Sequence, residues 1–131
     1  MAEDDPKIKI TKLDAARRQL RIPIRLWFDD DDPIAIHTLT AAAHDIIHTL
    51  FRRKGLKNLL FDSKLIKDNF RAEWVRGIKA NANFFKHADR DATGTFEFNP
   101  FANEMLLFFS ATALEKMGEP LGIEENALAG C

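Results

Sequence analysis

The chain has 131 residues, 46% of them hydrophobic and 30% charged, with a formal net charge of −1. A length of this order supplies one domain with a real core, and the composition is that of a soluble globular chain. A charge balance this close to neutral excludes a global field that drives the molecule onto nucleic acid or membrane. Binding of that kind has to come from local patches.

The opening MAEDDPK is acidic and has no apolar segment, so no secretory signal is read there. Residues 1–10 are charged, lack periodicity and are expected to form a flexible tail. Thr11 then reads as an N-cap with Asp14 as its capping-box partner. Leu13, Ala16, Leu20, Ile24 and Trp27 follow as one helical stripe, with Arg18, Arg21 and Arg25 opposite. Pro23 lies inside this pattern and removes a backbone hydrogen bond, which predicts a kink or a break.

Asp29 to Asp32 ends the first helix, and Asp32-Pro33 starts a second that is expected to reach Lys54. Its apolar face reads as Ile36, Leu39, Ala43, Ile46, Ile47 and Leu50, and Gly55 supplies a left-handed cap. Leu56 to Phe61 is a short apolar connector. A third helix is expected from a cap at Asp62 or Ser63 to about Ala88, weakened in its middle by Gly77, Asn81 and Asn83. Asp89 to Gly94 reads as a turn and Thr95 to Phe98 as extended.

Asn99-Pro100 repeats the cap-plus-proline signal and opens a last helix to Met117, stopped by Gly118 and Pro120. That helix is apolar almost all the way round, from Phe101 through Leu107 to Leu114. Such a helix is either central in a bundle or half of a subunit interface, and a homodimer through residues 100–117 is the expectation. Residues 119–131 read as a loose tail. The fold expected is an all-α, up-down bundle of four to five helices, with residues 11–118 as its single domain. The uncharged run Met105 to Leu114 falls far short of the ~20 residues a membrane span needs, so no membrane partner is expected. Cys131, the lone cysteine, cannot close an internal disulfide, which fits a cytoplasmic protein.

The polar residues with the most specific geometry lie on the third helix, in RGIKANANFFKHADRD. At 3.6 residues per turn, Arg76, Lys79, Asn83, Lys86, His87 and Arg90 fall within an arc of roughly 100°. Phe70, Trp74, Ile78 and Phe85 lie opposite. A face this cationic is suited to holding phosphates, and Arg18, Arg21 and Arg25 extend the candidate anion-binding set. Asn83, His87 and Arg90 also come together by their i, i+3 and i+4 spacing. They form a candidate catalytic set in which His87 is general base or acid on an RNA 2′-hydroxyl and Arg90 stabilises phosphate charge. The plainer alternative is a solvated face ending in a histidine bonded to backbone.

His37, His44 and His48 fall within roughly 40° of each other on the second helix, beside its apolar face. His44 and His48 have the i, i+4 spacing that lets two imidazoles grip a divalent transition metal, with His87 or Glu104 as conceivable third ligands. No Glu lies between the histidines in the place a zinc-peptidase motif requires, and no cofactor is the base expectation. DRDATGTF matches the first eight positions of a calcium loop, but Pro100 stands where a bidentate Glu belongs, so a tight turn is the simpler reading. No Gly-rich phosphate loop, GxSxG or CxxC occurs.

Two segments together resemble HEPN-type helical bundle proteins. AIHTLTAAAHDIIHTLFRRKG is similar to an early helix of that family, and NANFFKHADRD to a later one in which a polar residue precedes a histidine. The resemblance implies a small α-helical dimer that is either an RNase using His87 or an inactive binding partner. Asn81 and Asn83 stand near the place of the family's polar residue, whereas its Arg has no counterpart here; the nearest upstream is Arg76. The segment NFFKHADRD also resembles that of uncharacterised bacterial proteins. The sequence therefore points first to a homodimeric binding module whose cationic face takes RNA, a nucleotide or an acidic partner. A HEPN-like metal-independent RNase and a His-ligated metalloprotein are the alternatives.

Overall fold

Five helices and no strand make up the described part of the chain in this computed structural model, which covers residues 5–57, 67–89 and 91–130. They are α1 (Lys12–Phe28), α2 (Pro33–Arg53), α3 (Asp68–Lys86), α4 (Phe101–Lys116) and α5 (Ile123–Ala129). The expected all-α bundle is what forms. The expected start of the third helix at Asp62 or Ser63 lies outside the described residues.

The helix starts follow the local chemistry. Thr11 Oγ1 accepts from the Asp14 N–H at 3.0 Å while Asp14 Oδ2 accepts from the Thr11 N–H, closing the capping box of α1. Asp32 Oδ1 accepts from the Ile34 N–H ahead of α2, and Asn99 Oδ1 accepts from the Phe101 N–H ahead of α4. Pro23 is buried within α1, and the helix runs on through it without a break. A proline ring costs one hydrogen bond, which the packing of Leu20 and Ile24 on either side outweighs.

Three helices end alike. Asp31 N–H donates to Leu26 O and Asp30 N–H to Trp27 O; the same pair of bonds recurs at Leu56 and Gly55, and at Glu119 and Gly118. These are Schellman turns, which need a left-handed residue at the pivot. Gly55 and Gly118 fill it at φ +80° and +82°, and Asp30 fills it at φ +51° without glycine's freedom.

Helix α2 is the central element. It packs on α1 along its length, on α4 and on α3. His37 meets Phe85 and Asn103, while further along Lys54 Nζ donates to Met117 O and His44 shares a cavity with Ile78 and Lys79. Hence α3 runs antiparallel to α2 and α4 parallel to it, the up-down-up-down order expected. The core holds Leu20 and Ile24 of α1, Ile36, Ile47 and Phe51 of α2, and Leu107 and Leu114 of α4. With neighbours on three sides, α2 buries more than its apolar stripe: Leu39, Ile46 and Leu50 stay half-buried, while His37, Thr40 and His44 are fully enclosed.

The C-terminal segment corrects the expectation of a loose tail. Residues 123–129 form α5, which packs on α1 and α4 and buries Leu128 completely. Arg25 holds it from α1, with Nη2 2.6 Å and Nε 2.8 Å from Glu124 Oε1, and Arg17 donates to the Pro120 carbonyl. The segment is short and acidic, so it carries little helical signal of its own; its partners on α1 supply what the sequence window lacks. Covered by α1, α2 and α5, the apolar helix α4 buries Leu106, Leu107 and Leu114 within one chain. Phe101 stays exposed and Met105, Phe108 and Phe109 are half-buried, so part of its apolar surface remains on the outside.

Candidate functional site: the α2–α3 cleft

Helix α3 buries only Ile78 completely, so it lies on α2 as an outer layer. Small residues at the contact leave space beneath it: Ala41 of α2 and Ala82 of α3 face a cavity of about 220 Å³. Its remaining wall comprises His44 and Asp45 of α2 with Ile78, Lys79, Asn83 and Lys86 of α3. Two features that are separate in the sequence, the cationic face of α3 and the histidine edge of α2, therefore meet in one cleft.

The electrostatics of this cleft are uneven. Burial, reinforced by the His48 charge, pushes the His44 imidazole down to about 3, so it is neutral at physiological pH. His48 stacks on it, rings 5.9 Å apart and nearly parallel. Desolvation raises the Asp45 carboxyl against the pull of Lys79, Lys86 and His48. The cleft is thus floored by an uncharged imidazole and rimmed by two lysines, an amide and one carboxylate, a net cationic rim over an apolar-to-neutral base.

A second cavity, about 480 Å³, lies on the other flank of α3 and is lined by Ala80, Asn83, Phe84, His87, Asp89, Asp91 and Phe96. After α3 ends, the chain turns back at residues 91–94, where a Cβ on Gly94 would collide with the Asp91 carboxylate. The extended segment that follows places alternate residues on one face, so Phe96 and Phe98 both point at the end of α3. Phe96 stacks on Phe84 at 4.9 Å, and Phe98 meets Phe85 and His37 edge-on at 5.1 and 5.0 Å. Going round α3, Ile78, Ala82, Lys86 and Lys79 occupy one flank, Ala80 and Phe84 the other, and Asn83 the crest between. Helix α3 ends at Lys86, short of the expected Ala88, so His87 follows in extended backbone and not on the helix.

His37 belongs to the fold. Asn103 Nδ2 donates to Pro33 O at 3.0 Å, which leaves Asn103 Oδ1 to accept from His37 Nδ1 at 2.9 Å and sets the neutral Nδ1–H tautomer. Burial lowers the imidazole's pKa, and the Asn103 hydrogen bond and the nearby Ile78 backbone oppose that.

The remaining sequence candidates are dispersed. Arg76 is exposed on α3 and is not among the residues lining the cleft. Arg18 and Arg21 line a different cavity, facing Asp14, Glu124 and Glu125, and Arg25 is paired with Glu124. There, burial raises the Glu124 carboxyl, but its backbone N–H, Arg25 and Arg21 outweigh that and hold it below the usual range. Asn83 and His87 share the second cavity; Arg90 lies outside the described residues. Glu104 lines a fourth cavity beside Trp27 and Phe101 and not the His44 cleft, and His87 is not in the wall of that cleft either. Among the described residues no group of three or more His, Cys, Asp or Glu is arranged to hold a metal ion. No described helix is long and apolar enough to cross a membrane.

What sequence reasoning missed is the aromatic platform of Phe84 and Phe96 and the enclosure of His37. The alternation of Phe96 and Phe98 in an extended stretch was the available signal, but the residues they meet are supplied by other helices. A scan against protein-family models, a search of curated proteins and a search of solved structures each found no match for this chain.

Proposed function

We propose that the protein is a binding module for phosphate-bearing ligands, with the α2–α3 cleft as its anion site. The observation that carries this reading is that Lys79, Asn83 and Lys86 of α3 line one cavity with a neutral, buried His44. Lysine ammonium groups supply charge, the Asn83 amide supplies a directed donor, and the partly enclosed floor strengthens both by lowering the local dielectric. Asp45 on the same rim limits the net charge, which favours a compact phosphate over a long polyanion.

The test is calorimetric titration of the protein with pyrophosphate at low and high salt. Binding is expected to weaken as salt rises, and Lys86→Gln is expected to weaken it a few-fold, the scale of one exposed ion pair. Salt-independent binding, or an unchanged affinity in a Lys79→Gln/Lys86→Gln protein, would overturn the reading.

A second reading, RNA cleavage by His87 as HEPN-like proteins perform it, is favoured by one observation: Asn83 and His87 line the same cavity. Asp89 and Asp91 line it too and repel a phosphodiester, which is why binding is the leading proposal. His87→Ala has to abolish cleavage of an RNA oligonucleotide for the catalytic reading to hold.

A further inference from the structure

We infer that the ligand of the cleft is a nucleotide whose base lies in the neighbouring aromatic cavity, stacked on the Phe84–Phe96 pair and read by Asp89 and Asp91. The inference rests on the anion-site reading above and adds the identity of the group attached to the phosphate.

Three observations carry it. First, Asn83 is in the wall of both cavities, so a ligand anchored between Lys79 and Lys86 that crosses the crest of α3 arrives directly at Phe84. Second, Phe84 and Phe96 stack on each other at 4.9 Å, and Phe96 remains 39% exposed at the rim of the cavity that both line. Part-exposed aromatic rings beside a cationic groove are the combination by which proteins hold single nucleotides and single strands without base pairing. Third, the aromatic cavity carries two carboxylates, Asp89 and Asp91, beside Asn83 and His87, whereas the cleft carries two ammonium groups against the single Asp45 carboxylate. Carboxylates accept hydrogen bonds only, so they select a base edge rich in N–H donors. Guanine presents a ring N–H and an amino group side by side, which one carboxylate accepts together; uracil presents a single N–H between two carbonyl oxygens. The charge on each flank of α3 thus matches one end of a guanine nucleotide.

A Cβ at Gly94 would meet the Asp91 carboxylate, so the glycine leaves that side chain its place beside the aromatic cavity.

Titration of the full chain with guanosine 5′-monophosphate, uridine 5′-monophosphate and ribose 5-phosphate tests this. The guanine nucleotide is expected to bind about tenfold or more tighter than ribose 5-phosphate, the scale of one base stacked on an aromatic side chain, with the uracil nucleotide between them. Phe96→Leu, which keeps apolar volume but removes the π-face, is expected to abolish that gain and leave ribose 5-phosphate binding unchanged. Asp89→Asn is expected to narrow the guanine-over-uracil preference. If circular dichroism finds the Phe96 variant unfolded, Phe84→Leu serves in its place. Equal affinity for all three ligands overturns the base site while the phosphate cleft stands. Binding of none of them, ribose 5-phosphate included, overturns the cleft as well. Displacement of the guanine nucleotide by tetramethylammonium at equal concentration would identify the aromatic cavity as a site for organic cations and overturn the inference.

Discussion

Asn103 Oδ1 accepts a hydrogen bond from His37 Nδ1 at 2.9 Å, across 66 residues of chain, with both side chains fully enclosed. The pair joins the start of α2 to the start of α4, and Asn103 extends the link through its amide to the Pro33 carbonyl. Phe85 and Phe98 pack edge-on against the same imidazole, so the contact also docks the end of α3 and the chain that follows it.

Removing one partner of that pair strands the other. Asn103→Leu is expected to destabilise the protein by about 2 kcal/mol, because His37 then keeps a buried N–H without an acceptor. His37→Phe in the Asn103→Leu background is expected to recover part of the loss, since both polar groups are then gone. Urea denaturation of the two single variants and the double variant measures the coupling; strictly additive changes would mean that the two side chains do not act as a unit.

Stability should fall as the medium turns acidic, with a sign set by His44. Its folded pKa of about 3 lies below the ordinary 6.5, so between those values the unfolded chain binds a proton that the folded chain excludes. The stabilisation is complete above pH 6.5 and is lost on going down from there, at up to about 1.4 kcal/mol per pH unit for one imidazole. His37, lowered by the same desolvation, adds to the slope. Denaturation midpoints at pH 7.5, 6 and 5 are expected to decline, and His44→Gln is expected to make the decline shallower. A flat profile in the parent protein would contradict the enclosure of His44.

Asp30 occupies the left-handed pivot of the α1 Schellman turn at φ +51°, where Gly55 and Gly118 serve the other two. A side chain in that region costs roughly 1 kcal/mol, partly offset by the extra freedom glycine has when unfolded. Asp30→Gly is expected to raise stability by about 0.5 kcal/mol, helped by removing one charge from the run Asp29 to Asp32. A lowered melting temperature would show that the Asp30 side chain is needed where it stands.

The last helix gives a contrast between neighbours. Leu128 is wholly buried and Ile123 is 86% exposed, five positions apart on the same short element. Leu128→Ala is expected to cost about 2–4 kcal/mol, and Ile123→Ala to change stability by less than about 0.5 kcal/mol. Equal and small effects would return residues 123–129 to the status of a loose tail.

The start of α1, α2 and α4 and the pivots that end α2 and α4 were legible in the sequence because capping is local. Thr11 and Asp14, Asp32 and Pro33, Asn99, Gly55 and Gly118 act on backbone groups within a few residues of themselves. The amphipathic stripes were legible for the same reason: a helix sorts its residues at a fixed angle whatever it packs against. That sorting determined that Lys79, Asn83 and Lys86 share a face and that His44 and His48 share another. Only the tertiary structure decided that these faces meet, that His37 turns to Asn103 instead of joining its neighbours, and that Arg25 is taken up by Glu124. It also decided that residues 123–129 are helical and that Phe96 returns to Phe84. Each of these depends on a partner far away in the chain, supplied when burial of α2 on three sides set the order of the helices around it, and periodicity within one helix carries no information about which neighbour it will find.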